Sequence, residues 1–168
     1  MAHSEADVLA TADAVARDVI EKHAPTVDAD GVFPQASIDA VRDAGLMALI
    51  SSPDVGGMGM RPGIASKVIE RFSQACGSTG MVMCMHYCGT AVLEAFGSTE
   101  VRKDVAAGRH LSTLAFSEAS SRSQFWAPTS TAKRSGEGIV LDARKSWITS
   151  AHQATAYVWS STPVEAEG

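Results

Sequence analysis

Residues 81–118 read MVMCMHYCGTAVLEAFGSTEVRKDVAAGRHLSTLAFSE, and they contain the point at which the chain changes from helical to strand character. From Met81 to Phe96 the sequence is apolar nearly all round, which predicts a helix in the middle of a bundle. A short helix over residues 99–107 follows, and it ends before Gly108. Residues 111–118 are then rich in strand formers, so the sequence predicts a strand there.

The order of the elements predicts the fold class. Helices that come first and strands that come afterwards are typical of an α+β protein, or of a helical domain followed by a β domain. We predict a helical N-terminal domain over residues 1–110 and a β domain over residues 111–168.

Three further helices are predicted upstream by apolar residues at helical spacing. They cover about residues 5–24, 35–45 and 64–76. We expect Pro25 to end the first helix. We also expect the glycine-containing stretch 77–80 to separate the third of these helices from the helix that begins at Met81. Residues 51–63, which are rich in glycine and proline, predict a loop.

Four short strands are predicted after residue 128. Their ranges are 129–133, 139–143, 146–150 and 155–160, and the first two flank a turn over residues 135–138.

Composition narrows the classes of function. The chain has 168 residues, of which 45% are hydrophobic and 20% charged, with a net charge of −5. This balance is typical of a folded globular protein and disfavours a nucleic-acid binder, which is usually basic. No apolar run approaches the ~18 residues of a membrane span. An odd number of cysteines and the absence of a signal segment predict reduced thiols and a cytoplasmic location.

The three cysteines have two interpretations, as metal ligands or as buried thiols. Cys84 and Cys88 are four residues apart and face each other on a helix, but a closed zinc site needs four ligands. Free cysteine is among the most buried residue types, so we expect Cys76, Cys84 and Cys88 to be buried, inert thiols, and we predict no metal.

Several short motifs then occur in a fixed order. A Phe-Pro pair lies at 33–34, a proline followed by Gly-Gly-x-Gly at 53–59, and a helix with the central His86 ends in Phe-Gly before a Thr-Glu pair. Residues 117–124, SEASSRSQ, are similar to the motif Thr-Glu-Pro-x-Ala-Gly-Ser-Asp. Residues 142–150, DARKSWITS, are similar to Asn-Gly-x-Lys-x-Trp-Ile-Thr-Asn.

In order and spacing these motifs resemble the N-terminal part of the acyl-CoA dehydrogenase family of flavoproteins. The resemblance implies a helical domain followed by an antiparallel β domain that is incomplete in this chain, without the usual C-terminal helical domain. It also implies an FAD cofactor. The positions that it assigns to the flavin are Leu114, Phe116, Ser117, Trp147, Ile148 and Thr149, and it assigns Ser123 to the acyl-CoA ligand.

The resemblance implies a function and leaves alternatives open. The leading interpretation is α,β-desaturation of an acyl-CoA thioester, with the catalytic base in the C-terminal domain and none in this chain. An electron-accepting flavoprotein or oxygen would reoxidise the flavin, and a homo- or hetero-oligomer is expected. The alternatives are a flavin monooxygenase or oxidase on the same fold, and a non-catalytic acyl-CoA-binding homologue or subunit.

Departures from the family motif motivate these alternatives. Ala119 stands where the family has proline, Arg122 where it has glycine, and Gln124 where it has an acid. The Asn-Gly pair is replaced by Asp142-Ala143. An arginine in this segment suits a phosphate or a carboxylate, so an unusual acyl portion is one interpretation.

Overall fold

The computed structural model describes residues 3–122 and 124–163. Its helices agree closely with the apolar periodicity. They are α1 (Glu5–Val15), α2 (Glu21–Asp30), α3 (Gln35–Asp43), α4 (Pro62–Ala75), α5 (Gly77–Phe96) and α6 (Thr99–Ala106).

The first helix does not end at Pro25, and this prediction was wrong. A π turn over Ala16–Ile20 joins α1 to α2, and Pro25 lies inside α2. Proline removes one backbone hydrogen bond, but α2 still buries Val27 in the core, and that packing maintains the helix as far as Gly31. Gly31 ends it in the left-handed conformation, at φ 60°.

The interruption between α4 and α5 is also narrower than predicted. Only Cys76 leaves the helical conformation, and α5 begins at Gly77. Gly80 lies within the first turns of α5, where a Cβ atom would come 2.0 Å from Oγ of Ser73 on α4. Gly80 therefore allows the two helices to approach closely, and it does not break the second one.

The core lies among the first five helices and the turn that follows α3. Its largest fully buried apolar side chains are Ile20, Ile38, Leu46, Met47, Leu49, Phe72 and Met83. Cys76 is buried as expected, but Cys84 is only half-buried and Cys88 is exposed, so the expectation of three buried thiols was wrong. The helical period turns Cys88 away from the buried face of α5.

His86 joins three parts of the molecule. The imidazole is fully buried on α5, and its Nδ1 accepts a hydrogen bond from the backbone N–H of Ser112 at 3.1 Å. Nε2, 3.0 Å from the carbonyl of Met47, is then the protonated nitrogen and donates to it. The neighbouring Tyr87 hydroxyl donates to the carbonyl of Leu46 at 2.9 Å. α5 is thereby fixed both to the turn after α3 and to the start of the first strand.

Two pairs of strands form in the second part of the chain. They are β1 (Ser112–Ala115), β2 (Ala132–Ser135), β3 (Gly138–Leu141) and β4 (Ala156–Trp159). The hairpin of β2 and β3 is antiparallel and turns at Gly136, as predicted. β1 and β4 pair in parallel, which differs from the antiparallel arrangement that the resemblance implies, and the connection of 40 residues between them is long enough for a crossover.

Residues 146–150 do not form the predicted strand. Trp147 and Ser150 have φ values of 58° and 59°, which a strand does not allow. The division into two domains at residue 110 stays a prediction, and α5 packs against β1 across that position. Within residues 3–122 and 124–163, every helix is too short or too polar to cross a membrane.

We predict that His86 makes the stability of the protein fall at acid pH. Burial lowers the pKa of His86 from 6.5 to about 4, so the unfolded chain binds the proton first as the pH falls. The free energy of unfolding should therefore fall by roughly 3 kcal/mol from this group between pH 6.5 and pH 4. Urea unfolding across this pH range measures the effect.

The variant His86→Gln keeps a donor and an acceptor but does not titrate, so its unfolding should depend less on pH. His152→Gln, at an exposed histidine, is the matched control and should keep the wild-type dependence. The prediction would be contradicted if the free energy of unfolding depended equally on pH in the wild type and in both variants.

Candidate functional site

An apolar cleft lies where the end of β1 meets α5. Its volume is about 290 Å³, and it is lined by Met85, Leu114, Phe116, Ser117, Phe125 and Trp147. Four of these, Leu114, Phe116, Ser117 and Trp147, were predicted from the sequence as flavin-binding positions. Met85 and Phe125 were not predicted as flavin-binding positions.

The strand period brings the first wall of the cleft together. Leu114 and Phe116 are two residues apart, so their side chains point to the same face of the chain. Ser117 follows, and its carbonyl accepts a hydrogen bond from the backbone N–H of Ser146 at 2.9 Å. This bond holds the end of β1 beside the turn that carries Trp147.

Trp147 lines the cleft from an unusual backbone conformation. Its φ is 58°, and its side chain is 91% exposed. A residue other than glycine in the left-handed region costs about 1–3 kcal/mol and persists only where its surroundings fix it. Beyond Trp147, the hydroxyl of Thr113 donates to the carbonyl of Thr149 at 2.7 Å. The turn is thus attached to β1 on both sides of the tryptophan.

A buried ion pair lies directly behind the cleft. Nζ of Lys145 is 2.6 Å from Oε1 of Glu118, and the two side chains are 1% and 5% exposed. The ammonium group also donates to the carbonyls of Ser160 at 2.6 Å and Phe116 at 3.3 Å. All three of its protons therefore have acceptors.

Both oxygens of the Glu118 carboxylate also accept hydrogen bonds. Oε2 accepts hydrogen bonds from the backbone N–H and hydroxyl of Thr129 at 2.9 and 2.7 Å, and from the backbone N–H of Ser130 at 3.0 Å. Burial alone would raise the pKa of Glu118, but hydrogen bonds from Lys145, Ser130 and Thr129 hold it well below its usual range. Glu118 is thus ionised at neutral pH, and with a lowered pKa and hydrogen bonds to both of its oxygens it is a weak base.

Two predicted flavin positions lie elsewhere. Thr149 lines a second cleft of about 620 Å³, together with Phe33, Met81 and His152. Ile148 is half-buried and lines neither cleft. The left-handed turn at Trp147 sends the residues that follow away from the first cleft. Ser123, predicted to contact acyl-CoA, lies outside the described residues.

Two further residues of the segments that resemble the family motifs adopt the left-handed conformation. Arg122 has a φ of 50°, at the position where the family motif has glycine. Ser150, at φ 59°, stands where the motif has asparagine, the other residue type that tolerates this region. Asp142 and Ala143, in place of Asn-Gly, do not adopt positive φ.

A family model agrees with the helical part of the fold. The model described as "Acyl-CoA dehydrogenase, N-terminal domain" matches residues 3–108. The chain belongs to the acyl-CoA dehydrogenase family. The predicted family and fold class are thereby confirmed.

Curated relatives in this family cover most of the chain. Short-chain specific acyl-CoA dehydrogenase, mitochondrial, from Homo sapiens is 31% identical over 153 residues, which are 84% of this chain and 37% of the relative. Probable acyl-CoA dehydrogenase fadE25 from Mycobacterium leprae (strain TN) is 30% identical over 155 residues, which are 90% of this chain and 40% of the relative. The chain thus spans less than half of the length of these relatives.

Solved structures share the fold at lower identity. Butyryl-CoA dehydrogenase from Megasphaera elsdenii aligns with a TM-score of 0.81 at 16% identity, over 92% of this chain and 43% of that one. FMN-bound TdsC from Paenibacillus sp. A11-2 aligns with a TM-score of 0.81 at 20% identity, over 95% of this chain and 41% of that one. Methanesulfinate monooxygenase MsuC from Pseudomonas fluorescens aligns with a TM-score of 0.74 at 23% identity, over 92% of this chain and 40% of that one. One fold therefore occurs in proteins named for different chemistry.

We predict that Thr113→Val destabilises the protein by about 1–2 kcal/mol, because the carbonyl of Thr149 loses its hydroxyl donor while the side chain keeps its shape. Urea unfolding measures the change. Thr131→Val, at an exposed threonine, should change the free energy of unfolding by less than about 0.5 kcal/mol. If Thr113→Val were as stable as this control, the hydrogen bond between Thr113 and Thr149 would contribute nothing to the free energy of unfolding.

Proposed function

We propose that the protein is an FAD-dependent acyl-CoA dehydrogenase that introduces an α,β double bond into an acyl-CoA thioester. One observation carries the proposal. Leu114, Phe116, Ser117 and Trp147 come from two segments far apart in the sequence, and they line a single cleft. The family motifs had assigned these same four residues to the flavin.

The cleft fits the ring system of a flavin. Its volume of about 290 Å³ lies at the lower end of the range for ligand pockets, which suits a planar ring rather than an entire dinucleotide. Its walls are mostly apolar, and Ser117 supplies one hydroxyl. FAD is proposed over FMN because of the family, although FMN-bound TdsC shows that this fold also accepts FMN.

The residues of this chain would bind and shield the cofactor. A bound flavin supplies an acceptor for the hydride that leaves the β-carbon of the substrate. Trp147 and Phe125 would supply two large aromatic rings for contact with the flavin, and Met85 is a flexible thioether that adapts to the shape of a ligand. The hydroxyl of Ser117 is a hydrogen-bond donor for a polar edge of the ring.

The base that removes the α-proton is not assigned to this chain. Glu118 is the buried carboxylate behind the cleft, but Lys145, Thr129 and Ser130 already occupy both of its oxygens. The resemblance places the base in the C-terminal domain of the family. The proposal therefore has this chain bind the cofactor and the thioester, and it assigns proton removal to another part of the protein.

The proposed partners follow from the same relatives. The substrate is an acyl-CoA thioester, for which Ser123 stays the predicted contact, and an electron-accepting flavoprotein or oxygen takes the electrons. A homo- or hetero-oligomer is proposed because Trp147 and Phe96, at 91% and 87% exposure, leave large apolar surfaces uncovered. A cytoplasmic location stays a prediction.

A flavin monooxygenase is the second candidate function. The fold shared with methanesulfinate monooxygenase MsuC keeps it as a candidate, since a shared fold does not choose between the two reactions. A non-catalytic homologue that binds acyl-CoA is motivated by Ala119, Arg122 and Gln124, which replace three residues of the family motif.

The role of Trp147 is tested by Trp147→Ala in the complete protein. We expect weaker retention of FAD, because the substitution removes a large ring from the wall of the cleft. The ratio of flavin absorbance to protein absorbance after gel filtration measures retention. Phe96→Ala, at another exposed ring that lies outside the cleft, is the matched control. Equal flavin content in both variants would remove Trp147 from the site.

The reaction is tested by anaerobic titration of the flavoprotein with a panel of acyl-CoA thioesters. We expect at least one thioester to bleach the flavin absorbance, since desaturation reduces the flavin. A spectral shift without bleaching would instead support the binding-only homologue. No response to any thioester, together with oxygen-dependent turnover of the reduced flavin, would support the monooxygenase.

A further inference from the structure

We propose that Glu118 and Lys145 are positioning residues: their ion pair holds Trp147 and the segment Phe116–Ser117 as the two walls of the cleft. The consequence for flavin binding rests on the proposed function, but the positioning itself does not. The sequence motifs contain both residues, although neither had been assigned a role.

Lys145 connects three segments that are far apart in the sequence. It precedes Trp147 by two residues, and its ammonium group donates to the carbonyl of Phe116, to the carboxylate of Glu118 and to the carbonyl of Ser160 after β4. It also lies 5.1 Å from the ring centre of Trp159, within the range of a cation–π contact. The turn that carries Trp147 is thus fixed to the ends of both parallel strands.

Glu118 adds a fourth segment to this arrangement. Its carboxylate accepts hydrogen bonds from the backbone and side chains of Thr129 and Ser130. The carbonyl of Ser130 in turn accepts a hydrogen bond from the backbone N–H of Thr162 at 2.8 Å. The chain that enters the β2–β3 hairpin is therefore held by the same pair.

The strained backbone explains what the pair does. Trp147 is in the left-handed region and its side chain contributes almost nothing to the buried core, so its own packing does not fix that conformation. The contacts on either side must do so. They are the Lys145–Glu118 pair with the bond between Ser146 and Ser117 before the tryptophan, and the bond between Thr113 and Thr149 after it.

A role in stability alone gives a different expectation. Removing one member of a buried ion pair leaves an uncompensated charge, whereas removing both is often neutral for stability. A double variant therefore separates the two roles. If the pair only stabilises the fold, the double variant recovers every property of the wild type. If the pair positions the cleft, the double variant recovers stability but not the position of Trp147.

The experiment compares Glu118→Gln, Lys145→Met and the double variant in the complete protein. Glu137→Gln and Lys133→Met make the same chemical changes at exposed positions of the β2–β3 hairpin and are the matched controls. Labelling with 5-fluorotryptophan gives one ¹⁹F NMR signal for each of Trp126, Trp147 and Trp159, and Trp147→Phe assigns the signal of Trp147. Thermal unfolding and the Kd for FAD are measured on the same proteins.

We expect the Trp147 signal to shift or broaden in both single variants and in the double variant, and to stay unchanged in the two controls. The Kd for FAD should rise about tenfold or more in the double variant even where its melting temperature returns to that of the wild type. A double variant with the wild-type Trp147 signal and the wild-type Kd would overturn the proposal.

Failure of the proposed function has a separate signature. A wild-type protein that takes up no FAD would contradict the proposed function, while the ¹⁹F signal of Trp147 in the flavin-free protein still decides the positioning. If the single variants do not fold, the double variant decides it alone, since it carries no unpaired charge.

Discussion

The burial of a neutral imidazole at the centre of α5 determines how the helices meet the strands. His86 uses one ring nitrogen as an acceptor and the other as a donor, so a single side chain bonds to the turn after α3 and to the first residue of β1. Because β1 begins at that bond, its direction and register relative to the helices are set there. Leu114 and Phe116 then follow at the strand period and reach the cleft.

From β1 onwards, buried polar contacts rather than apolar packing shape the site. The second part of the chain buries few large apolar side chains, and both faces of the β2–β3 hairpin are largely exposed. The ion pair of Glu118 and Lys145 compensates by joining four separate segments behind the cleft. A polar network of this kind gives a defined geometry, since a hydrogen bond has a direction whereas apolar contact has none.

The sequence predicted the parts of this structure that depend on local patterns. Helix ranges followed from apolar spacing, and the turn at Gly136 followed from its residues. The prediction failed where distant contacts decide the outcome. Tryptophan favours strands, yet Trp147 lies in a turn because of bonds to β1, and no local signal shows this. Glu118 and Lys145 are 27 residues apart, so their pairing is not evident from either motif by itself. Parallel pairing of β1 with β4 depends on the path of the whole connection between them.

The π turn in the first helix has a geometric consequence for the core. Buried residues of this helix recur every four positions, at Val8, Ala12, Ala16 and Ile20. In a regular α-helix, four residues advance by about 40° more than one full turn, so three such steps would rotate Ile20 by about 120° from Val8. The π turn contains more residues per turn and cancels part of this angular drift. The period of four is therefore matched to a locally wider helix, which keeps Ile20 and Val27 on the same buried side of the bundle as Val8.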